Sequence, residues 1–323
     1  MDGCPVCLVE TMVEQPAKPI SRSQTYLQTL TFYFFMEKPI HIVENSDSGA
    51  HRRTQNGYLI TPEEVTQFRE QGYLILNNVL TESEMATLDP WFDHFICGKE
   101  PNMGKDFCDM SQPYGTPVED FKLVNAMLPS KYRPELSGNI FFQLAQSIAN
   151  QLYEGNAAMD YEQFLAKKPN KEQAAFAMHQ DLGYWPKTAN TWTATFSLAL
   201  SNAAVENGCL QVVPGSNQEP QLRRHRPKDY GHQNPESVNR DDSHTLVIDM
   251  KPTDEILYLP VVRGSITIHD ERIVHGSAGN NSTEWRKTYI MAFRDANTIA
   301  EERAMGFTHS HNDTVNWDTI LDH

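Results

Sequence analysis

Cysteine is scarce in this chain: Cys4, Cys7, Cys97, Cys108 and Cys209 are the only five in 323 residues. So sparse and odd a set is no disulfide framework, and it suits a reducing compartment. Cys4-x-x-Cys7 has the spacing of half a metal site, but no second pair follows it at zinc-site distance. Positive charge is short as well, with 27 Lys and Arg against 42 Asp and Glu and a net charge of -15. Neutralising phosphates takes a clustered excess of Lys and Arg, so this balance argues against a nucleic-acid partner. Long apolar runs are missing too. The longest, from Tyr26 to Met36, is interrupted by Gln28, Thr29 and Thr31 and falls short of the roughly 20 residues that a membrane helix needs. The start, Met1-Asp2-Gly3-Cys4, has no basic stretch followed by an apolar one, so no secretory signal is expected. What remains is a soluble, cytoplasmic protein with a small-molecule partner, no nucleic acid and no membrane, and compatible with a homodimer.

Apolar residues make up 39% of the chain, enough to build a substantial core. Residues 1–56 are polar apart from the short apolar run and read as a partly flexible extension. From Thr61 the signals sharpen. Thr61 as N-cap, Pro62 in the first helical position, Glu64 completing a capping box and Gly72 as stop predict a helix. A strand over Tyr73 to Leu76 follows, then a helix opened by Thr81 and Glu84 that runs toward Cys97, with Pro90 expected to kink or break it. Between Asn139 and Tyr153 the apolar residues Ile140, Leu144, Ile148 and Leu152 recur every four positions and mark one buried helical stripe.

After Ala174 the period changes to two, as in Trp192, Ala194, Phe196, Leu198 and Leu200 with Thr193, Thr195 and Ser197 between them. Further short strands are expected near Cys209 to Val213, Thr245 to Met250, Ile256 to Leu259, Gly264 to His269 and Lys287 to Phe293. Helices followed by many short strands predict an α+β chain with a jelly-roll, double-stranded β-helix core spanning residues 57–296. Residues 217–244 lack periodicity, join two strands and read as an insert or lid. Residues 297–323 read as a C-terminal tail.

The first candidate for chemistry is His179-Gln180-Asp181 at the end of a strand, where alternate residues share a face and can reach one ion. The chain has 12 histidines, so such triplets also arise by chance, and His311-Asn312-Asp313 is a second. Only the first is followed by a long stretch containing His275-Gly276-Ser277 and then Arg286. His275 can supply a third ligand. Two imidazoles and a carboxylate leave three positions open, as iron(II) requires when it binds both a chelating cosubstrate and O2. Zinc on the same ligands is the physical rival and would serve hydrolysis, but it leaves Arg286 without a role. A guanidinium forks onto a carboxylate, and Ser277, on the same face as His275, can add a hydrogen bond to it.

His179-Gln180-Asp181, Asn207-Gly208-Cys209-Leu210 with Pro214-Gly215-Ser216, and His275-Gly276-Ser277 with Asn280 and Arg286 resemble the phytanoyl-CoA dioxygenase family of iron(II)- and 2-oxoglutarate-dependent oxygenases. The likeness covers about residues 57–295. It implies that His179, Asp181 and His275 hold iron(II), that Arg286 and Ser277 bind the tail of 2-oxoglutarate, and that Gln180 also touches this cosubstrate. Relatives that halogenate lack the carboxylate, so Asp181 implies hydroxylation or another oxidation, with 2-oxoglutarate and O2 yielding succinate and CO2. The chain departs from the family at Gly264-Ser265, where Gly-Asp is common, and at Asn217, where histidine is. Tyr184, Trp185, Trp192 and Phe196 are the candidate substrate contacts, and His269 a residue beside the metal set. A free small molecule of biosynthesis is favoured over an acyl-CoA, whose phosphates the net charge repels. Arg223, Arg224, Arg226 and Lys228 would reverse that preference if they held phosphates. A jelly-roll binding module without turnover is the rival from another class.

Overall fold

The helices begin and end where the capping residues say they should. In the computed structural model, which describes residues 41–42, 49–54, 57–189, 191–229 and 245–315, α1 (Pro62–Gln71) opens on a complete Thr61/Glu64 capping box. It closes on Gly72, whose φ of 80° lets its N–H reach back to the Phe68 carbonyl. Helix α2 (Glu82–Ile96) opens on the Thr81/Glu84 box in the same way. Pro90 lies inside α2 without breaking it, so the break that the sequence allowed does not occur. An interior proline costs about 3 kcal/mol. Met85 and Leu88 before it and Phe92, Phe95 and Ile96 after it are all buried, each stabilising by roughly 1.5–3 kcal/mol. A single turn, α3 (Pro129–Tyr132), precedes α4 (Ile140–Leu152), whose stripe is buried as predicted, and α5 (Ala296–Ala304) follows the last strand.

Sixteen strands are described: β1 (His41–Ile42), β2 (Arg53–Thr54), β3 (Gly57–Tyr58), β4 (Tyr73–Leu76), β5 (Phe107–Asp109), β6 (Leu123–Met127), β7 (Ala157–Lys167) and β8 (Phe176–His179), then β9 (Thr193–Ala199), β10 (Leu210–Val212), β11 (His225–Pro227), β12 (Leu246–Ile248), β13 (Leu257–Leu259), β14 (Ile266–Asp270), β15 (His275–Ser277) and β16 (Arg286–Asp295). They form a seven-stranded sheet in the order β4-β14-β9-β16-β7-β6-β5, a five-stranded sheet in the order β1-β13-β10-β15-β8, and two small hairpins. Hydrogen bonds from Thr195 of the large sheet to Asp181, and from Lys167 to Ser277 of the small one, show that the two sheets face each other. This is the jelly-roll core expected from the sequence. No helix among the described residues is long and apolar enough to cross a membrane.

The large sheet is buried on both faces. Ala194, Phe196 and Leu198 of β9, Phe164 of β7, Tyr289, Met291 and Phe293 of β16 and Ile266 and Ile268 of β14 join α2 and α4 in the main apolar core. Their alternates, among them Thr193, Thr195, Ser197, Thr267, His269, Lys167, Arg286 and Thr288, are buried as well, on the face toward the second sheet. The barrel interior therefore mixes these polar residues with apolar ones such as Tyr73, Ile75, Leu165 and Ile290, and buried charges hide β7, the longest described strand, which the sequence reading missed. Asp160, Glu162 and Lys167 within it look like surface residues, yet all three are buried.

Residues 230–244, the second half of the predicted lid, lie outside the described residues. The part before them is woven into the fold: β11 pairs with β12, and the Arg223 N–H donates to Gln180 Oε1 at 2.8 Å. Of the N-terminal extension, β1 pairs in parallel with β13, and Arg53 forks onto Glu84. Cys108 and Cys209 are free and buried, whereas Cys97 is disulfide-bonded, against the expectation from cysteine scarcity. Past α5 the chain folds back on the barrel, fixed by a buried ionic cluster. Arg294 Nη1 donates to Asp160 at 2.9 Å and to Glu302 at 2.7 Å, while Arg303 and His309 also engage Asp160. Arg294→Met would leave two buried carboxylates short of their cation. A loss of about 3–5 kcal/mol in urea unfolding is the expected result, and an unchanged midpoint would refute the cluster's structural role.

Candidate active site

Strands β8 and β15 run antiparallel with His179 directly opposite His275, and the register slips between His275 and Ser277. The slip falls on Gly276, where a Cβ would lie 2.7 Å from Met178 Sδ and 2.9 Å from the Phe176 carbonyl. Glycine thus lets the two strands close up, and the imidazole centroids stand 4.2 Å apart. Asp181 arrives by a different route from the one predicted. Strand β8 ends at His179, and a 3-10 turn, Asp181–Tyr184, rather than same-face alternation, swings the carboxylate in.

His179 Nδ1 lies 2.7 Å from the Ala177 carbonyl and His275 Nδ1 lies 3.0 Å from that of Ile273. A carbonyl only accepts, so both Nδ1 atoms carry hydrogen and both Nε2 atoms present lone pairs. Those lone pairs face Asp181 Oδ1 at 3.3 and 3.4 Å. Three acceptors turned on one another need something positive between them. The ligand atoms lie within 4.8 Å of one another, so a single divalent ion can meet all three, and the two-nitrogen, one-oxygen set with open positions suits iron(II).

The carboxylate is gripped from behind. Thr195 Oγ1 donates to Asp181 Oδ2 at 3.1 Å, and His269 Nε2 lies 3.2 Å from the same oxygen, leaving Oδ1 turned to the other two histidines. Burial alone would raise the Asp181 carboxyl. Where protons rather than a metal ion stand between the Nε2 atoms and the carboxylate, the charge of His275 and the hydrogen bonds of His179, His269 and His275 outweigh burial and hold the group well below the carboxylate range. Burial would likewise lower His275, but the Asp181 charge and hydrogen bond leave it raised. Burial, then His275, push His269 down to about 4.

Arg286 begins β16 in the opposite sheet and is buried, with no hydrogen-bond partner on its Nε and no ion pair among the described residues. Burial lowers even this guanidinium to about 10. Beside the histidines opens a cavity of about 320 Å³ walled by Tyr184, Trp185, Tyr161, Phe176, Met110 and Met127, with His179 and Asp181 in its lining. Of the predicted substrate contacts, Tyr184 and Trp185 line it. Trp192 instead stacks on Tyr153 with centroids 3.8 Å apart, and Phe196 lies in the helix-side core. The Gln180 amide is engaged by the Arg223 N–H and the Arg272 carbonyl. Phe307, His309, His311 and Asp313, from the segment read as a tail, complete the wall. Nothing periodic marks them in the sequence, although His311 and Asp313 are the second triplet.

A model of the phytanoyl-CoA dioxygenase (PhyH) family matches residues 68–288. The rat protein named phytanoyl-CoA dioxygenase, peroxisomal, is 23% identical over 248 residues, which cover 72% of this chain and 68% of its own. A probable alpha-ketoglutarate-dependent hypophosphite dioxygenase of Stutzerimonas stutzeri is 30% identical over 125 residues, 36% of this chain and 39% of that protein. Among solved structures, EvdO2 from Micromonospora carbonacea var. aurantiaca, complexed with 2-oxoglutarate, superposes with a TM-score of 0.57 at 25% identity, covering 74% of this chain and 92% of its own.

The electrostatics of the triad can be read in the metal-free protein. Imidazole NMR across a pH titration should show His275 keeping its proton above the ordinary histidine range and His269 losing its proton near pH 4. Asp181→Asn should bring His275 back down. Three histidines titrating together at the ordinary value would contradict this arrangement.

Proposed function

Because the chain belongs to the phytanoyl-CoA dioxygenase family, we propose that His179, Asp181 and His275 hold its iron(II), and that Arg286 with Ser277 receives the far carboxylate of 2-oxoglutarate. The protein is an iron- and 2-oxoglutarate-dependent dioxygenase. One observation carries the residue assignment. A buried set of two imidazole lone pairs and a carboxylate shares a barrel with a buried guanidinium that no described acidic residue neutralises.

When bound, the iron supplies open positions for 2-oxoglutarate and O2 and the oxidative decarboxylation to succinate and CO2 that drives substrate oxidation. The protein's own residues do the placing. His269 and Thr195 fix the Asp181 carboxylate so that one oxygen faces the metal position. Backbone carbonyls at Ala177 and Ile273 fix both imidazole tautomers. Tyr184 and Trp185 form the wall nearest the ligands in sequence. Gln180, with both ends of its amide engaged, braces the ligand turn.

The substrate we infer is a free small molecule, hydroxylated in the cavity. The relatives' names run from phytanoyl-CoA to hypophosphite, so membership leaves the substrate open. About 320 Å³ stands at the low end of ligand pockets, which run from roughly 300 to 1,000 Å³. Its walls mix aromatic and thioether side chains, suited to stacking or cation–π contact, with polar ones that include Lys105, Gln163, His309, His311 and Asp313. Arg223, Arg224, Arg226 and Lys228 are absent from the lining. Arg223 is committed to Glu219 and Asp254, and Arg226 pairs with Asp249, which weakens the case for a nucleotide anchor there.

His275→Ala should lose iron and turnover together, whereas Arg286→Ala should keep iron but weaken 2-oxoglutarate by roughly 2–5 kcal/mol. Full iron content and activity in His275→Ala would overturn the ligand assignment. For the substrate, matched free acids, their CoA thioesters and aromatic or cationic small molecules are compared for succinate release. Turnover is expected with members of the free series, and coupling confined to the thioesters would overturn the small-molecule reading.

A further inference from the structure

Lys167 is the last residue of β7 and stands directly opposite Arg286 of β16 in the ladder. It is 0% exposed. Its Nζ donates to Ser277 Oγ at 2.7 Å and to the Ala278 carbonyl. Neither acceptor carries charge. No Asp or Glu among the described residues forms an ion pair with Lys167 or with Arg286, and Arg286 Nε has no hydrogen-bond partner at all. The nearby ionisable group is the Cys209 thiol, whose pKa burial raises, so it supplies no anion.

Two basic side chains buried side by side are expensive to keep charged without a counter-charge. Both are pushed below their ordinary values, Lys167 by burial first and then by the Arg286 charge. The rest of the interior behaves differently: Arg294 is matched by Asp160 and Glu302, and Asp181 by three imidazoles. The unmatched pair therefore marks the place where a ligand brings the negative charge. A carboxylate has about four lone-pair sites, more than one guanidinium fork fills. Lys167 also acts on Ser277: by donating to Oγ it occupies a lone pair there and leaves the hydroxyl hydrogen free to donate to an anion.

We propose that Lys167 is a further positioning residue for the cosubstrate, which with Arg286 and Ser277 completes the subsite for the far carboxylate of a 2-oxo dicarboxylic acid and aims the Ser277 hydroxyl at it. The proposal rests on the reading of this site as the 2-oxoglutarate pocket. It makes Lys167 a determinant of selectivity for dicarboxylic over monocarboxylic 2-oxo acids, since only the former reach it.

The test titrates the full-length, iron(II)-loaded protein anaerobically with 2-oxoglutarate and separately with 2-oxobutyrate, which chelates through the same 2-oxo acid end but lacks the far carboxylate. Binding is read from the visible absorption of the chelated ferrous ion, without turnover. Wild type should favour 2-oxoglutarate strongly. Lys167→Met should weaken 2-oxoglutarate by roughly 10- to 100-fold, the size of a lost charge-assisted hydrogen bond, and leave 2-oxobutyrate unchanged. Ser277→Ala should do the same to a smaller degree, and the double variant should fall short of the product of the two single effects, because the lysine acts partly through the serine. Lys167→Gln, which keeps a donor but no charge, gives the same ratio if the methionine variant does not fold, and should lie between wild type and that loss. A wild-type preference retained in both lysine variants, or equal weakening of the two acids as a merely structural lysine would produce, overturns the proposal. Failure of the wild type to bind either acid would instead bring down the reading of the site on which it rests.

Discussion

A charge taken out of water has to meet a counter-charge or a fan of hydrogen bonds, and the barrel of this protein places many charges where water does not reach. Most are matched from within. Asp181 gathers three imidazoles and the Thr195 hydroxyl, and Arg294 gathers Asp160 and Glu302. Glu162 takes the Ser130 N–H and the Tyr289 hydroxyl. Against that background Lys167 and Arg286 stand out, because their compensation has to come from a ligand. Stability and function meet here: a protein that kept this pair for packing alone would gain by replacing it with apolar side chains.

The same constraint shapes the cavity wall. Arg294 lies over the Trp185 ring at 4.2 Å from its centroid, and His309, held by Asp160, meets Trp185 edge-on at 5.7 Å and Tyr161 at 4.5 Å. The ionic cluster that ties the segment after α5 to the sheet thus also sets the aromatic faces a substrate would meet. Because the wall is drawn from the stretch around β5, from β6 and β7, from the turn after β8 and from residues beyond α5, its shape can vary in several places while the histidines stay fixed on paired strands.

The helix caps were legible because capping is local chemistry: Thr61 and Glu64, or Thr81 and Glu84, satisfy orphan donors within one turn. The alternation in β9 was legible for a related reason, since its two faces differ in polarity even though both are buried. The same logic failed at β7. Asp160, Glu162 and Lys167 are charged, and nothing nearby in the chain shows that Arg294, Tyr289 and Ser277 will meet them. Pro90 misled in the opposite direction, because a local penalty was outweighed by tertiary burial along α2.

Residue types and their order were enough, by themselves, to pick out His179, Asp181, His275, Ser277 and Arg286 and the chemistry such a set performs, because a ligand set is defined by donor atoms and three-point geometry needs few residues. What only the tertiary structure decided is how those donors are held and what shares the pocket with them. Lys167 and Ser277 are 110 residues apart, and Asp181 and His269 are 88 apart. Phe307 and His309 reach the cavity only because the chain turns back after α5. Contacts of that kind follow from which strands pair and which sheet faces which, and pairing is settled by the burial of the whole barrel, which no single stretch of residues records.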